Sequence, residues 1–462
     1  MAVMQLSKSD YMLYLRHPAW LWLKKHEPSK LPPVDDTTQA MFDAGHKFEQ
    51  YGEALFTDGV TLGFNNYDGY RTLTDRTQQA LVDGAKTIFQ SRFVWGEYNC
   101  LPDIVNVVGE NEVDLYEIKS STRVKDDHLY DLAFQRAVIE ANELKVRKIF
   151  VIYVNNEYVR HGDIKPAKLT KVDDVTLAVD NLTDFTKSNM PLALETMKNT
   201  TMPDPDPIFL SDLGDRREWQ TIYDSLVSTP KPDYSDAEPT INATEIERFL
   251  GDLRYPLYFL DYETMAAVVP YFDGHRPYQQ IPTQYSLHIL DSPESELRHM
   301  EYLHRENTDP SLPIAEHLVN DIGTSGSIIT WNMSFEKNCN TTLGKLNPKY
   351  ANAMAAINER IVDLMIPFKP KNSWYSDPRF EGSASIKKVL PVVVPSLSYK
   401  TLGIQNGGAA QTLWTQAVLD GARKDRDQIL NDLIEYCKLD TLAMVEIYKV
   451  LENSSITPTE AI

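Results

Sequence analysis

Apolar and polar residues alternate in two ways along the first part of the chain. Strand-like spacing occurs at 101–108 and 112–121, on either side of a turn that begins at Gly109, and this pattern predicts a β-hairpin. Helix-like spacing follows at 128–144, and the apolar run 147–156 indicates another strand. The order strand, strand, helix, strand is typical of an α/β core with a crossover helix.

Helical spacing also precedes the hairpin and follows the last of these strands. We predict one helix over 7–25, capped by Ser7, and another over 42–56. Residues 165–200 indicate polar helices. Residues 201–240 are rich in Pro and Asp, a composition that disfavours regular structure and predicts an irregular bridge.

A second alternating stretch begins near residue 245. Apolar runs predict strands at 255–262, near 283–290 and at 327–331, and the sequence SFEKNCN predicts a helix capped by Ser334. The stretch ends in a long amphipathic helix over 427–452.

These patterns predict an α/β protein with two domains. The expected parts are a first domain, a helical and Pro/Asp-rich connector, a second domain and a tail, over 1–165, 166–244, 245–453 and 454–462. The net charge of −20 argues against a protein that coats nucleic acid through bulk positive charge. It is compatible with a nuclease, whose carboxylates are offset by bound metal and whose basic groups are local.

Cysteine usage and hydropathy indicate the cellular compartment in which we expect the protein. Cys100, Cys339 and Cys437 lie far apart in the sequence and form neither a disulfide framework nor a CxxC metal site. The N-terminus lacks the apolar core of a signal peptide. No stretch approaches the ~18 uninterrupted apolar residues of a membrane span. We therefore expect a cytoplasmic protein without a membrane partner.

Two acidic motifs in the second domain predict a metal site. Asp261 and Glu263 are two apart on an apolar strand, so their side chains share one face. Tyr436 and Asp440 are four apart on the last helix and also share a face. Glu336, between these two motifs in the sequence, follows the strand at 327–331 as a further acidic candidate. Carboxylates in apolar surroundings need a cation, and hard oxygen ligands suit Mg²⁺ or Mn²⁺.

These motifs resemble those of the DnaQ-like (DEDDy) 3′–5′ exonucleases, which have an RNase H-like fold. The resemblance covers the last 200 residues or so. It implies that Asp261, Glu263 and Asp440 bind a two-metal centre, with Glu263 also counted as catalytic, and that Tyr436 orients the attacking water. Glu336 stands where that family usually has Asp, and it is the expected further ligand.

The first domain carries a second set of candidates. Pro102-Asp103 on one strand of the hairpin is followed on the other strand by Glu117 and Lys119, which share a face. This resembles the RecB-like branch of the PD-(D/E)XK nucleases, which have a restriction-endonuclease-like fold. The resemblance implies one or two metal ions at Asp103 and Glu117 and a catalytic Lys119. It adds His46 as an upstream ligand and Gln135 as a catalytic residue on the following helix.

The first domain differs from many RecB-like relatives in two respects. Many of them bind an iron–sulfur cluster through four cysteines, whereas this domain contains Cys100 alone, so we expect no cluster. Ile139 stands where the branch often has Tyr.

The whole chain resembles a bacterial family of unknown function that joins both nuclease types. The resemblance implies a metal-dependent nuclease acting on nucleic acid, with DNA that is single-stranded or has free ends as the expected substrate. Basic residues offer candidate phosphate contacts at Arg123, Lys125, Lys387 and Lys388. Because of Glu336 and Ile139, the alternative is a non-catalytic nucleic-acid-binding or scaffold protein built from decayed nuclease domains. A protein-interaction module is the third class.

Overall fold

The computed structural model describes residues 4–227, 233–234, 236–421 and 423–455. The chain divides into two compact units, Met1–Lys231 and Pro232–Ile462, called unit 1 and unit 2 below. Both combine helices and sheets, so the protein has a mixed α/β structure. The predicted tail beyond residue 455 lies outside the described residues.

The strands of unit 1 are β1 (Leu6–Ser7), β2 (Gly59–Thr61), β3 (Thr87–Phe89), β4 (Phe93–Trp95), β5 (Tyr98–Cys100), β6 (Ile104–Gly109), β7 (Glu112–Lys119), β8 (Lys145–Val154) and β9 (Thr170–Asp174). Its α-helices are α1 (Lys8–Arg16), α2 (Pro18–His26), α3 (Asp36–Glu53), α4 (Tyr67–Val82), α5 (Asp126–Glu140), α6 (Pro166–Leu169), α7 (Thr176–Asp180), α8 (Thr183–Lys198) and α9 (Arg216–Val227).

A six-stranded sheet in the order β2-β3-β6-β7-β8-β9 forms the centre of unit 1. The predicted hairpin is confirmed: β6 pairs antiparallel with β7, and Gly109 lies opposite Glu112. Asn111 in the turn has φ 56°, a left-handed conformation that Asn tolerates better than most residues. The predicted crossover is also present, because β8 follows α5 and runs parallel to β7.

The prediction of a single helix over 7–25 was wrong. Ser7 caps α1 as expected, with Asp10 completing a capping box. The chain then breaks at His17, whose extended backbone ends α1 and precedes Pro18, the first residue of α2. A residue before proline is pushed out of helical geometry, so His17-Pro18 separates two helices where periodicity alone indicates one.

Part of the segment predicted as a connector packs on the core of unit 1. Met190, Ala193 and Met197 of α8 are buried in the same apolar cluster as residues of β7, β8 and α5. Farther along, Trp219 of α9 packs with Trp20 of α2 in a smaller cluster. Residues 228–232 and 235 of that segment lie outside the described residues.

The strands of unit 2 are β10 (Thr240–Ile241), β11 (Leu257–Met265), β12 (Ile281–Leu290), β13 (Arg298–Leu303), β14 (Ser327–Thr330), β15 (Ile361–Asp363) and β16 (Tyr375–Ser376). Its α-helices are α10 (Ala243–Gly251), α11 (Ser311–Asp321), α12 (Met333–Leu346), α13 (Ala351–Glu359), α14 (Ile386–Val393), α15 (Gly407–Trp414) and α16 (Arg426–Ser455).

The main sheet of unit 2 has the order β13-β12-β11-β14-β15. The first three strands are mutually antiparallel, and β14 and β15 run parallel to β11. Alternate residues of β11 enter different cores: Leu257 and Phe259 pack in the cluster that contains α16, while Leu260 and Tyr262 pack with α11 and α12 on the other face. The central strand is therefore covered on both sides.

Ser334 does not cap α12 as predicted, because the helix begins at Met333, two residues earlier than a Ser334 cap requires, and Asn332 occupies the N-cap position. Within the described residues, no helix combines the length and the apolar character needed to cross a bilayer.

Candidate functional site

The strand β11 and the helix α16 bring the predicted acidic residues of unit 2 together. Asp261 and Glu263 continue the face of β11 on which Leu257 and Phe259 are buried, as the alternation of a strand requires. Helix α16 packs against that face. Cys437 of α16 lies close to the strand, with its Sγ 3.8 Å from an Oδ of Asp261.

Three carboxylates form a group with the dimensions of a metal site. One ligand oxygen from each of Asp261, Glu263 and Asp440 lies within 4.8 Å of the other two. Asp440 is buried, and the other two are half-buried. An all-carboxylate set of this kind fits a hard divalent cation such as Mg²⁺ or Mn²⁺ better than a soft, thiolate-preferring metal.

The electrostatics of the group show how little positive charge the protein itself supplies there. Burial, and then the charges of Asp440 and Glu263, hold the pKa of Asp261 well above its usual range. Burial also raises the pKa of Glu263 to about 8, with Asp440 adding to the shift and Lys387 opposing it. Burial raises the pKa of Asp440 to about 6, although a hydrogen bond from Tyr399 and the charge of Lys387 act against it. A cation at this point would relieve the repulsion among the carboxylates.

Two tyrosines and a lysine adjoin the carboxylates. The hydroxyl of Tyr399 donates to Oδ1 of Asp440 at 2.6 Å. Tyr436 is buried on α16, with its ring centroid 6.1 Å from that of Tyr399. Lys387 Nζ lies 5.5 Å from the ring centroid of Tyr436 and donates to the carbonyl oxygen of Gln405 at 2.6 Å. Burial raises the pKa of Tyr436 above its usual range, so its hydroxyl stays protonated.

Glu336 lies near the three carboxylates but outside their group. Its side chain is buried, and Oε2 has no hydrogen-bond partner among the described residues. Burial raises its pKa to about 8, and Asp363 contributes to that shift. Asp363 itself is held by Lys369, whose Nζ lies 2.7 Å from Oδ2. Glu336 is thus a buried acid. Among the described residues, its carboxylate has no ion pair like the one between Asp363 and Lys369.

Unit 1 contains a second acidic cluster in which lysines already balance the acids. Glu117 is buried, and its Oε1 accepts from Lys8 at 2.7 Å and from Lys119 at 2.8 Å. Lys119 also bonds Asp131 of α5 at 2.9 Å. The amide of Gln135 donates to Glu117 Oε2 at 2.9 Å and to Asp131 at 3.0 Å. The structure therefore joins Glu117, Lys119 and Gln135 directly.

The pKa shifts in unit 1 follow from this pairing. Burial alone would raise the pKa of Glu117, but Lys119 and Lys8 outweigh it and lower that pKa. The same two lysines lower the pKa of Asp131 to about 2 against the effect of burial. Asp103 differs: burial and the charge of Glu117 raise its pKa to about 7, although Oδ2 accepts from the Ile118 amide at 2.7 Å.

The remaining candidates lie outside these clusters. His46 is exposed on α3 and makes none of the hydrogen bonds described for the unit 1 cluster. Among residues 4–227, no three ligand atoms of acids, histidines or cysteines approach within 4.8 Å as they do in unit 2. Arg123 and Lys125 are exposed before α5, and Lys388 is exposed and ion-paired with Glu381.

Three residues of these clusters escaped the sequence analysis. Asp131 precedes Gln135 by four positions on α5, so the helical period was a usable signal for it. Lys8 reaches Glu117 from 109 positions away, and Tyr399 reaches Asp440 from 41 positions away. Neither pairing leaves a local pattern in the sequence.

Comparison with known proteins finds one family and two relatives that are similar to parts of this chain. Residues 258–385 match the family described as Domain of unknown function (DUF2779), a segment that begins on β11 and ends just before α14. The chain is 28% identical over 218 residues to Uncharacterized protein MG366 homolog of Mycoplasma pneumoniae, covering 41% of this chain and 31% of that protein. It is 28% identical over 214 residues to Uncharacterized protein MG366 of Mycoplasma genitalium, covering 42% and 32%. The chain thus spans about a third of the length of these relatives, and its similarity to the DUF2779 family is limited to unit 2.

Proposed function

We propose that the chain is a metal-dependent nuclease whose principal reaction centre is formed by Asp261, Glu263 and Asp440. The convergence of these three carboxylates within 4.8 Å carries the proposal, because they come from two motifs about 180 residues apart. Carboxylates that repel one another in a half-buried site are most readily explained by a cation that balances them.

The arrangement of unit 2 supports a DnaQ-like exonuclease of the RNase H-like fold. The acidic pair lies on the central strand of a five-stranded sheet that combines antiparallel and parallel pairing, and the closing helix α16 supplies Asp440. The similarity to the DUF2779 family falls on the same unit. We therefore propose 3′ ends of nucleic acid, with DNA as the expected polymer, as the substrate of this site.

Each residue of the site has a proposed task. Asp261, Glu263 and Asp440 would hold Mg²⁺ or Mn²⁺, and Tyr399 fixes the Asp440 carboxylate through its 2.6 Å hydrogen bond. Bound divalent ions would stabilise the negative charge that develops on a phosphodiester during hydrolysis. The protonated hydroxyl of Tyr436 can hydrogen-bond a water molecule and orient it for attack.

Unit 1 is proposed as a second phosphodiesterase site of the PD-(D/E)XK type, at Asp103 and Glu117, with Lys119 and Gln135 beside them. In this proposal Lys119, which lies beside Glu117 and Asp131, would stabilise negative charge on a bound phosphate. A metal ion at Glu117 would have to compete with Lys8 and Lys119 for Oε1. This pairing favours the alternative for unit 1, a nuclease-like domain that binds nucleic acid without cleaving it.

The test uses single-stranded DNA and RNA labelled at the 3′ or the 5′ end, with the full chain and Mn²⁺. We expect Asp261→Asn to slow trimming from the 3′ end by ~100-fold or more, since losing even the outer partners of a metal site costs 10–100-fold. Asp252→Asn, at an exposed carboxylate of the same unit, should leave the rate unchanged. Asp103→Asn, measured in the same assay, tests whether the proposed site of unit 1 contributes to cleavage.

Three outcomes separate the hypotheses. Cleavage that survives both Asp261→Asn and Asp103→Asn contradicts both site assignments. Tight binding of DNA or RNA without cleavage in any divalent metal favours the non-catalytic binding protein. Absence of both metal binding and nucleic-acid binding favours a protein-interaction module.

A further inference from the structure

A cationic cavity in unit 1 has no part in the nuclease sites described above. Its volume is about 620 Å³, and its lining includes the four cations Lys24, Lys25, Arg71 and Arg92 but the single carboxylate of Asp10. The cations come from α2, from α4 and from the segment between β3 and β4. This local excess of positive charge contrasts with the net charge of −20 of the whole chain.

Arg92 is the strongest indication that the cavity is built to receive an anion. Its side chain is buried, with 7% of the residue exposed. All of its partners are neutral: it donates to Oε1 of Gln5 at 2.7 Å and to the carbonyl oxygen of Tyr70 at 3.3 Å, and its guanidinium lies 4.1 Å from the Tyr70 ring centroid. Its Nε has no hydrogen-bond partner within the described residues. A buried guanidinium without a counter-ion is costly, and a bound anion would remove that cost.

The lysines of the cavity share one counter-ion. Asp10 accepts from Lys25 at 2.6 Å and lies 3.0 Å from Lys24 Nζ, while its other bonds complete the capping box of α1. Arg71 is exposed at the rim and has no ion pair among the described residues. Asp10 therefore pairs with two of the four cations, while Arg71 and Arg92 are without an ion pair among the described residues.

The aromatic lining indicates what carries that anion. Tyr67, the first residue of α4, is 64% exposed and lines the cavity together with Tyr70. An exposed aromatic ring beside cations matches the way single strands are bound, with bases stacked on rings and phosphates held by Arg and Lys.

The cavity also adjoins the acidic cluster of unit 1. Ser7 and Asp10 line the cavity, and Lys8 between them forms the ion pair with Glu117. A strand bound in the cavity would thus lie beside the helix whose first residue contacts the cluster. We propose that this cavity binds a phosphate group of a single-stranded nucleic acid, with a base stacked on Tyr67; the proposal rests on the nucleic-acid function proposed above.

The experiment measures binding in EDTA, where no cleavage occurs. Fluorescence anisotropy follows a labelled single-stranded oligonucleotide, with or without a 5′ phosphate, on the full chain. We expect the double variant Lys24→Ala/Arg71→Ala to weaken binding about tenfold or more, and to lower the salt dependence by about one to two phosphate contacts. Arg217→Ala removes an exposed arginine of α9 in the same unit and should change the affinity less than about twofold.

Two further sets of binding measurements identify the source of the phosphate and the class of partner. The first compares oligonucleotides with and without a 5′ phosphate, and the second uses competitors. A preference for the 5′-phosphorylated strand indicates a terminal phosphate, and equal binding indicates an internal one; either supports the cavity. A free mononucleotide should compete, whereas a nucleoside should not. Displacement by polyglutamate but not by a mononucleotide would overturn the proposal in favour of an acidic protein segment.

The outcomes distinguish this proposal from the nuclease assignment. If the double variant binds like the parent chain, or if Arg217→Ala weakens binding equally, the cavity proposal is wrong even where Mn²⁺-dependent cleavage is observed. If no metal supports cleavage but the double variant loses binding, the cavity stands and the nuclease proposal falls. An oligonucleotide that fails to bind the parent chain overturns the cavity proposal outright.

Discussion

The acidic clusters of the two units differ in what balances their charge. In unit 1, Glu117 bonds two lysines at 2.7 and 2.8 Å, and its pKa is lowered. In unit 2, Asp261 and Glu263 repel Asp440, and the pKa values of all three carboxyls are raised. Two charged residues at alternate positions of a strand therefore end in an internal ion pair in unit 1 and in a group of mutually repelling carboxylates in unit 2, and the neighbouring elements decide which.

Mn²⁺ should stabilise unit 2 and leave unit 1 nearly unaffected. At a metal concentration 100 times the dissociation constant, binding adds about 2.7 kcal/mol to the free energy of unfolding. Calorimetry with and without EDTA measures the shift, and hydrogen exchange of α16 and α5 assigns it to a unit. Asp440→Asn should abolish it, whereas Asp291→Asn, at an exposed carboxylate paired with Arg298, should not. An equal Mn²⁺ effect on both units would remove the contrast between them.

Removing Lys8 should make unit 1 resemble unit 2. Lys8→Met keeps the aliphatic stem but leaves Glu117 with Lys119 and Gln135 as its remaining partners. We expect unit 1 to lose about 2 kcal/mol in EDTA, since breaking a buried pair from one side leaves a poorly compensated charge and Lys8 is partly exposed. Denaturant unfolding monitored by hydrogen exchange of β7 measures the loss.

The same variant should also acquire a Mn²⁺ response in unit 1, because Oε1 of Glu117 then has one competitor fewer. Lys30→Met is the matched control, since Lys30 is an exposed lysine paired with Glu27 in the same unit. A Lys8→Met protein as stable as the parent would show that the ion pair between Lys8 and Glu117 contributes little to the stability of unit 1.

The metal-free units should differ in the pH range over which they lose stability: Asp103 in unit 1 and Glu263 in unit 2 have raised pKa values, but unit 1 also contains Asp131, whose pKa is lowered. The pKa of Glu263 rises from 4.5 to about 8 on folding, so the folded chain holds its proton while the unfolded chain has released it. Unit 2 in EDTA should therefore lose stability as the pH rises from about 4.5 to about 8, on the order of 1 kcal/mol after allowance for solvent screening. Glu263→Gln should reduce this dependence, and the part that remains should come from Asp261, Asp440 and Glu336, whose pKa values are also raised.

Unit 1 should show the reverse trend at lower pH. The pKa of Asp131 falls from 3.8 to about 2 on folding, so unit 1 should lose stability as the pH drops from about 4 towards 2. Hydrogen exchange of α16 and α5 across a pH series, corrected for intrinsic exchange, measures both trends. A unit 2 that gains stability with rising pH in EDTA would contradict the picture of uncompensated carboxylates.

Tyr399→Phe should have the smallest effect. It removes the hydroxyl that donates to Asp440 and leaves the ring in place, at a cost of about 1 kcal/mol without metal. The pKa of Asp440 should rise further, because that hydrogen bond lowers it. Titration of the carboxyl signal by NMR measures this shift, and Tyr271→Phe, at another tyrosine of unit 2, serves as the control.

Local periodicity was sufficient to predict the strand and the helix that contain the candidate site residues of unit 2. Alternation along β11 correctly put Asp261 and Glu263 on one face, and the helical period put Tyr436 and Asp440 on one side of α16. The hairpin of β6 and β7 and the crossover through α5 followed from the order of the elements. Periodicity failed at His17-Pro18, where a helical pattern continues across a backbone that proline prevents from continuing.

The sequence by itself thus determined which faces carry carboxylates, because strand and helix periods act over a few residues. Only the tertiary structure decided what meets those faces. Lys8 reaches Glu117, Tyr399 reaches Asp440, and Arg92 is buried among neutral partners. Such partners come from elements distant in the chain, and their meeting depends on the packing of whole helices and sheets, which no local pattern of residues encodes.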